Sequence, residues 1–328
     1  MNIFTNANYN FIRWRWHAIA LSAVVIIAGI VTMATRGLPL GIDFSGGTNV
    51  VVQFERQVGE DQVRRALDTT IPGEKAIQRF GNPSDREVLI KLPQAQGAEQ
   101  GTSLEQGARQ IVEALQKAGL PKFEVISTEI VGPVIGADLQ RKGIYATLAS
   151  ILGITVYIAL RFRPSFALGA IAATLHDVLV TLAFLTFFGY DLSLNIVAAI
   201  LTITGYSVND TIVIFDRVRE NMRTMRKDSL EHVVNLSVNQ TLSRTIITAG
   251  TTFLAVLSLY LFGGEVLEGF AFTMLVGIVT GTYSTIFIAA AIAVLLSQRK
   301  RAHRTTSAPA AAETGPRAAR KGGRARAS

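Results

Sequence analysis

Two aspartates, Asp177 and Asp210, lie within stretches of the chain that are otherwise apolar enough to cross a lipid bilayer. Asp210 is the more informative, because residues 192–209 before it carry no charge and the apolar pattern resumes at residues 211–215. A carboxylate at such depth costs about 2.5 to 3.5 kcal/mol on insertion scales, so it normally faces a protein interior or a water path. A carboxyl group in that position can take up and release protons, which is the chemistry of a proton relay.

Arg244 is the candidate electrostatic partner of Asp210. The sequence predicts that it opens the fifth apolar helix on the cytoplasmic side, with Thr248 and Thr251 on the same helical face. A nearby arginine favours the ionised carboxylate whereas burial opposes it, so small rearrangements would load or release a proton. Two other interpretations remain open: an arginine that reaches the lipid headgroups, and an Asp210 carboxylate that only accepts hydrogen bonds from neighbouring helices.

Asp177 and Asn209 are further candidates for the relay. Asp177 lies in the middle of the third apolar segment among small and polar neighbours, which is typical of a packed helix face, and Asn209 directly precedes Asp210. For both residues a structural hydrogen bond between helices is an equally good interpretation. His176 is about 100° around the helix from Asp177, so the two side chains need not share a partner, and a structural role is favoured for His176.

Motifs for covalent catalysis or metal binding do not accompany these acids. The sequence has no cysteine, which excludes disulfides, iron–sulfur clusters and thiolate metal sites, and its four histidines are scattered. The glycine pair in GIDFSGGT (residues 41–48) lacks the lysine of a phosphate-binding loop, so a tight turn close to the membrane is the better interpretation. We therefore expect no catalytic residue, no metal and no cofactor, and a protein that is not an enzyme.

Six apolar segments are long enough to form transmembrane helices. Of the 328 residues, 49% are hydrophobic and only 17% are charged, and about 20 helical residues cross the ~30 Å hydrocarbon core. The first segment follows two arginines but is longer than a signal-peptide core and has no A-x-A cleavage pattern, so we interpret it as an uncleaved helix. The predicted helices cover residues 17–35, 143–160, 166–188, 193–215, 245–263 and 269–296.

The positions of lysine and arginine orient these helices by the positive-inside rule. Basic residues concentrate in residues 1–16, 161–163, 216–244 and 299–328, whereas the turns at 189–194 and 263–269 contain none. Both termini are therefore predicted to lie in the cytoplasm, and residues 36–142 outside it. The formal net charge of +8 follows from this topology and does not indicate nucleic-acid binding.

Residues 36–142 predict one α+β domain. Strand signals at residues 48–55, 75–80, 86–92 and 122–131 alternate with helix signals at 59–70 and from 102 to about 118. The order β-α-β-β-α-β is that of a ferredoxin-like domain. The predicted fold class is thus an α-helical integral membrane protein with six transmembrane helices and an extracytoplasmic α+β ferredoxin-like (βαββαβ) domain between helices 1 and 2. The basic tail, residues 299–328, shows no apolar periodicity and is predicted to be disordered.

Five motifs of the chain resemble the SecF subunits of the SecD/SecF family, within the resistance-nodulation-division superfamily. They are GIDFSGGT after the first helix, VGPVIGADL before the second, HDV in the third, GYSVNDTIVIFDRVREN in the fourth and NQTLSRTIITAGTT into the fifth. They occur in the family's order between about residues 10 and 300. The resemblance implies that Asp210 is the family's membrane acid and Arg244 its fifth-helix arginine, while Asp177 matches the third-helix HD.

The resemblance also implies an accessory subunit of Sec protein export in the bacterial inner membrane. Its implied partners are SecD, as a heterodimer, the SecYEG channel and SecA-driven preproteins, with YajC and YidC as further candidates, together with membrane lipid and no nucleic acid. The implied energy source is the proton motive force, which would promote preprotein translocation and release on the periplasmic side. Two alternatives are a non-conducting assembly subunit and a proton-coupled exporter of small solutes, which the single moderate outer domain disfavours.

Overall fold

The computed structural model describes residues 8–71, 75–81, 84–93 and 102–306 of the chain. Its elements include a 3₁₀ turn (Ile12–Trp14) and a π-helical turn (Thr285–Ala289). The elements follow in the order α1 (Arg15–Arg36), α2 (Ile42–Ser45), β1 (Gly47–Phe54), α3 (Glu60–Asp68), β2 (Ala76–Phe80), β3 (Glu87–Pro93), α4 (Thr102–Lys117), β4 (Phe123–Val131), α5 (Pro133–Arg161), α6 (Pro164–Phe188), α7 (Leu194–Thr224), α8 (Leu230–Phe262), α9 (Glu265–Ser284) and α10 (Ala290–Thr306).

Six helical stretches in the described part of the chain are long and apolar enough to cross a membrane. They are Ile12–Arg36, Pro133–Arg161, Pro164–Phe188, Leu194–Thr224, Leu230–Phe262 and Val266–Gln298. The last stretch joins α9, the π-helical turn and α10. The predicted multi-pass helical membrane fold is confirmed.

Three of these six helices form the interior of the bundle, and three lie at its periphery. About half of the apolar window is buried in α6 (56%), α7 (44%) and the last span (61%), against 17% in α1, 6% in α5 and 11% in α8. Small residues allow the inner helices to approach closely. A Cβ atom at Gly169 of α6 would lie 2.5 Å from the backbone oxygen of Ala289, and one at Gly281 would lie 2.9 Å from the Cβ of Ser207.

Several helices extend beyond the apolar segments that reveal them in the sequence. The second span begins at Pro133 rather than at residue 143, α7 continues to Thr224 rather than 215, and α8 begins at Leu230 rather than 245. Hydropathy marks only the part of a helix that lies in lipid, whereas these extensions pack on protein. Ser229 caps α8 by accepting a hydrogen bond from the backbone nitrogen of His232 at 3.2 Å.

Arg244 consequently lies inside α8 and does not open that helix, contrary to the sequence prediction. The turns of α8 that precede it are held by buried valines, Val233, Val234 and Val238, which pack in the same cluster as Phe215 of α7. The last helix likewise continues to Thr306, so the predicted disorder from residue 299 does not hold as far as that residue. The rest of the predicted tail, residues 307–328, lies outside the described residues.

The outer domain is a four-stranded antiparallel sheet in the order β2-β3-β1-β4. Strand β1 is central, with Val50 opposite Ile90 of β3 on one side and Thr128 of β4 on the other. Side chains from β1, β3 and α4 form its core and are fully buried: Val50, Val52, Ile90, Ile111 and Leu115. This strand order and connectivity are those of the predicted ferredoxin-like domain.

Candidate proton-relay site

Asp210 lies on α7 where this helix contacts α8, and its side chain is half-buried. Its Oδ1 accepts a hydrogen bond from the hydroxyl of Thr245 at 2.8 Å. Its Oδ2 is buried and has no hydrogen-bond partner among the described residues. A buried acceptor without a partner costs about 1–3 kcal/mol, and more when it carries charge, so Oδ2 is the atom at which protonation would relieve an unfavourable state.

The position of Asp210 follows from the apolar periodicity of α7. Buried residues recur at intervals of three and four along the helix, including Ile203, Ser207, Ile214 and Val218, and this stripe faces the interior of the bundle. Asp210 lies beside the stripe rather than within it, on the side of α7 that meets α8. The acid is therefore withdrawn from lipid without being enclosed by the core.

Arg244 and Asn209, the other predicted relay residues on α8 and α7, are both exposed on the surface of the chain. Arg244 directly precedes Thr245, the hydrogen-bond donor to Asp210, on α8. The ion pairs among the described residues do not include one between Arg244 and Asp210. The structure thus brings the arginine to the neighbourhood of the acid, with Thr245 as the residue in direct contact.

Asp177 occupies a different place, at the centre of the bundle, where 1% of the residue is exposed. Its Oδ2 accepts hydrogen bonds from Ser207 Oγ at 2.5 Å and Ser284 Oγ at 2.9 Å. Its Oδ1 is hydrogen-bonded to His176 Nδ1 at 2.9 Å. Both carboxylate oxygens are therefore partnered, and the residue joins α6 to α7 and α9.

His176 extends this network to α1. Its Nε2 lies 2.8 Å from Ser22 Oγ, and its ring stacks on Tyr283, whose hydroxyl donates to the backbone oxygen of Ala18 at 2.7 Å. A hydrogen bond between His176 and Asp177 was not predicted from the sequence, yet the two side chains bond each other and are both buried. The serines that complete the network, Ser22, Ser207 and Ser284, were missed, and their only signal in the sequence is a small polar residue within an apolar run.

The two acids thus meet neighbouring faces of α7, Asp177 through Ser207 on the buried stripe and Asp210 from the side that faces α8. Ser207, which binds Asp177, precedes Asp210 by three residues, or roughly 4.5 Å of helix rise. Thr211 continues the inner side by a hydrogen bond to Thr285 at 2.9 Å. The arrangement separates a fully partnered buried carboxylate, suited to holding helices together, from a half-partnered one, suited to changing its protonation.

The amino-terminal end of α7 is fastened to the segment that leads into the outer domain. We call the contact between residues 39–43 and residues 191–194 the linker clamp. Gly41 N donates to the oxygen of Leu192 at 2.8 Å, and Leu192 N donates to the oxygen of Pro39 at 2.7 Å. Asp43 Oδ2 accepts from the backbone nitrogen of Leu194, the first residue of α7, at 2.9 Å.

Further contacts fix both sides of the linker clamp. Lys91 of β3 forms an ion pair with Asp191, and burial lowers the pKa of Lys91. The hydroxyl of Tyr190 donates to Glu268 at 2.6 Å, and burial together with this carboxylate raises the pKa of Tyr190. Tyr190 therefore remains a protonated donor at neutral pH and anchors the α6–α7 loop to α9.

The glycines of GIDFSGGT are required by close backbone contacts. A Cβ at Gly41 would lie 3.0 Å from the oxygen of Leu192, and one at Gly46 would lie 3.0 Å from the Cα of Pro133. Gly46 also has a φ of 72°, in the left-handed region that favours glycine. The linker is thus packed between the start of α5 and the loop before α7.

Comparison with known proteins links both the candidate site around Asp210 and the glycine-containing linker to one family. Residues 110–299, which include Asp210 and Arg244, match the family model described as "Protein export membrane protein SecD/SecF, C-terminal". Residues 31–58, which include the linker glycines, match the model described as "SecD/SecF GG Motif". The matched regions therefore cover the candidate site and the linker to the outer domain.

Curated relatives extend the similarity to most of the chain. The protein translocase subunit SecF of Rhodothermus marinus is 44% identical over 311 residues, which are 93% of this chain and 98% of the relative. The protein translocase subunit SecF of Escherichia coli O157:H7 is 41% identical over 292 residues, or 89% of each chain.

Solved structures of longer chains share the fold. The crystal structure of SecDF, a translocon-associated membrane protein from Thermus thermophilus, matches with a TM-score of 0.80 and 34% identity over 90% of this chain. This chain spans 39% of that longer one. SecDF in a super-membrane-facing form matches with a TM-score of 0.68 and 34% identity, over 93% of this chain and 41% of that chain.

Proposed function

The chain belongs to the SecD/SecF family of protein export membrane proteins, and from this premise we propose that it is an accessory subunit of Sec translocation that uses the proton motive force. It acts with SecD beside the SecYEG channel in the bacterial inner membrane. It promotes the movement and release of preproteins on the periplasmic side after the step driven by SecA. SecD as the partner is supported by the match to SecDF, a chain of which this one spans less than half.

We place both termini in the cytoplasm and the outer domain in the periplasm. The support for this orientation is the concentration of lysine and arginine at the ends of the helices far from the outer domain. The outer domain then lies on the side of the membrane where an exported preprotein emerges. Asp210 lies on the part of α7 that is nearer the cytoplasm.

The observation that carries the proposal is the half-partnered state of Asp210, with Thr245 bound to Oδ1 and Oδ2 left without a partner among the described residues. In the ionised form this carboxylate is held by Thr245 and by the charge of Arg244. In the protonated form it loses its attraction for Arg244, and the contact between α7 and α8 weakens. One elementary charge moved across 100 mV is worth about 2.3 kcal/mol, enough to shift a conformational equilibrium by about 50-fold.

The linker clamp gives this change a route to the outer domain. Asp210 lies 16 residues after the start of α7 at Leu194, or roughly 24 Å along the helix. A helix transmits a shift or rotation along its length, and the first residue of α7 is bonded to Asp43 in the linker. Movement of α7 against α8 would therefore displace the segment that continues into β1, one of the two central strands of the outer domain.

The decisive experiment compares Asp210→Asn with Asp216→Asn, which lies on the same helix at the membrane boundary and pairs with Arg161. Both variants are assembled with SecD, SecYEG and SecA in vesicles, and preprotein export is measured with and without a proton gradient. We expect Asp210→Asn to lose the gradient-dependent part of export and to keep the ATP-driven part. Asp216→Asn should respond to the gradient as the wild type does.

Two outcomes would contradict the proposal. If Asp210→Asn retained the full gradient-dependent stimulation, the carboxyl group would not be the coupling residue. If the variant were recovered with much less SecD than the wild type, the alternative of a non-conducting assembly subunit would be favoured. Recovery of the complex must therefore be measured beside export.

A further inference from the structure

A cavity of about 460 Å³ opens where the turn between α5 and α6 meets the extension of α7. It lies at the membrane boundary opposite the outer domain, because α5 begins beside the linker at Pro133 and runs for 29 residues to Arg161, roughly 43 Å. Four arginines line the cavity: Arg161, Arg163, Arg219 and Arg223. The proposed proton relay uses none of them.

Three of these arginines carry charge that the described residues leave unbalanced. Arg161 binds both oxygens of Asp216, at 2.7 and 2.9 Å, so its charge is neutralised. For Arg163, Arg219 and Arg223 the described part of the chain supplies no acidic partner within 4.0 Å. Three guanidinium groups around one cavity match a phosphate group, because each planar fork can donate two parallel hydrogen bonds to its oxygens.

The floor of the cavity is apolar. Phe162, Phe166 and Met222 line it, and Phe166 is 6% exposed and packs edge-on against Phe215 with ring centroids 5.1 Å apart. Aromatic side chains beside the arginines would contribute little to the binding of a free inorganic anion. They can contribute to the binding of a phospholipid, because its glycerol and ester groups lie directly below the phosphate and would contact them.

The last turns of α5 expose apolar side chains close to the cavity. Leu160 is 84% exposed and Tyr157 is 51% exposed on the surface of the chain, next to Arg161 at the cavity. A cationic cavity at the membrane boundary, with an apolar surface beside it, is complementary to a ligand that has an anionic headgroup and apolar chains. Basic pockets between transmembrane helices on the cytoplasmic side bind acidic lipid headgroups in the same way.

We propose that this cavity binds the phosphate group of an acidic phospholipid, with Arg163, Arg219 and Arg223 around the headgroup. The lipid would connect the α5–α6 turn to the extension of α7. Arg219 and Arg223 lie on one side of α7, four residues apart, so a single headgroup can reach both. The site is independent of the proton relay, and lipid binding can be measured without export.

The test is retention of lipid by the purified full-length protein in native mass spectrometry. The protein is equilibrated with equal amounts of phosphatidylglycerol and phosphatidylcholine, and the double variant Arg219→Gln/Arg223→Gln is compared with the wild type. We expect the wild type to retain phosphatidylglycerol in preference. The double variant should retain it about 30-fold less, since it lacks two basic residues that each contribute on the order of 1 kcal/mol.

The matched control is Arg13→Gln/Lys227→Gln, which removes two exposed charges at the same membrane face outside the cavity. It should keep the preference of the wild type. An equal loss in the control would show a general effect of charge and would overturn the site, as would undiminished retention in the double variant. If inorganic phosphate at the same concentration displaced the lipid, the cavity would be a free-anion site instead. Thermal unfolding in detergent establishes that both double variants are folded.

Discussion

Two intramembrane aspartates on neighbouring helices have opposite hydrogen-bonding states. Asp177 is bound at both oxygens, by His176, Ser207 and Ser284. Asp210 is bound at one oxygen, by Thr245. A carboxylate that several neighbours hold as an acceptor is costly to protonate, whereas one with a free oxygen is less so. The hydrogen bonds therefore support Asp210 as the proposed relay residue and a structural role for Asp177.

Replacement of Asp177 should therefore affect stability before it affects proton coupling. Asp177→Ala leaves Ser207, Ser284 and His176 without their acceptor, and we expect the free energy of unfolding to fall by about 3 kcal/mol. Asp177→Asn keeps an acceptor oxygen and should lose less stability and retain gradient-dependent export. Denaturant unfolding in detergent and the vesicle export assay measure the two effects. Loss of gradient-dependent export in a stable Asp177→Asn protein would show instead that Asp177 belongs to the relay.

At the level of elements, the linker clamp is a connection between α7 of the membrane bundle and the segment that enters the outer domain. The short helix α2 and the glycines around it fit between the start of α5 and the loop before α7. The contact consists largely of backbone hydrogen bonds, which hold the linker at fixed positions and restrict its movement relative to α7. A glycine at such a position is thus needed because it has no side chain, which allows the two backbone segments to approach closely.

Gly46→Ala should weaken the coupling without removing a charged or polar group. The added Cβ would lie 3.0 Å from the Cα of Pro133, in a backbone conformation with φ of 72°, and strain of that kind costs on the order of 1–3 kcal/mol. We expect lower gradient-dependent export with normal ATP-driven export in vesicles. Gly132→Ala is the matched control, because its Cβ would meet nothing within 4 Å. Equal effects of the two substitutions would argue against the clamp as the coupling element.

For the whole molecule, the three peripheral helices form much of the surface of the bundle that faces lipid or partner subunits. Large apolar side chains are exposed on α1, α5 and α8 and suit lipid, as at Leu254 and Phe262 of α8. Asn209 and Arg244 are exposed beside Asp210, where contact with lipid would be unfavourable. These two polar residues are the positions at which a partner subunit is expected to cover the chain, and SecD is the proposed partner.

Pairing with SecD should accordingly shield this polar patch. The chain has no cysteine, so single cysteines at Asn209→Cys or Arg244→Cys can be labelled specifically with a maleimide. We expect labelling to fall several-fold when the chain is assembled with SecD. Phe262→Cys, whose position is 85% exposed at the far end of α8, serves as the control and should label equally in both states. Unchanged labelling of Asn209→Cys and Arg244→Cys in the complex would place SecD elsewhere.

The fold followed from the sequence to a large extent, since its signals are local. Runs of apolar residues revealed the six spans, and β-branched runs between turn residues located all four strands of the outer domain within about two residues. The ends of α7 and α8 could not be found in this way. Their extensions are amphipathic and pack on protein, and hydropathy does not distinguish such a helix from a polar loop.

The candidate site was determined only in part by the sequence. The sequence alone identified Asp210 as an unusual carboxylate, because the free-energy penalty of a charge in an apolar helix can be read from composition. The contacts of the site could be found only from the folded chain. Thr245 binds Asp210, and Arg244 lies well within the length of α8 with its side chain exposed. Three serines from three helices converge around His176 and Asp177. These contacts join residues as much as 154 positions apart, and they depend on how helices rotate and cross, which a local pattern does not encode.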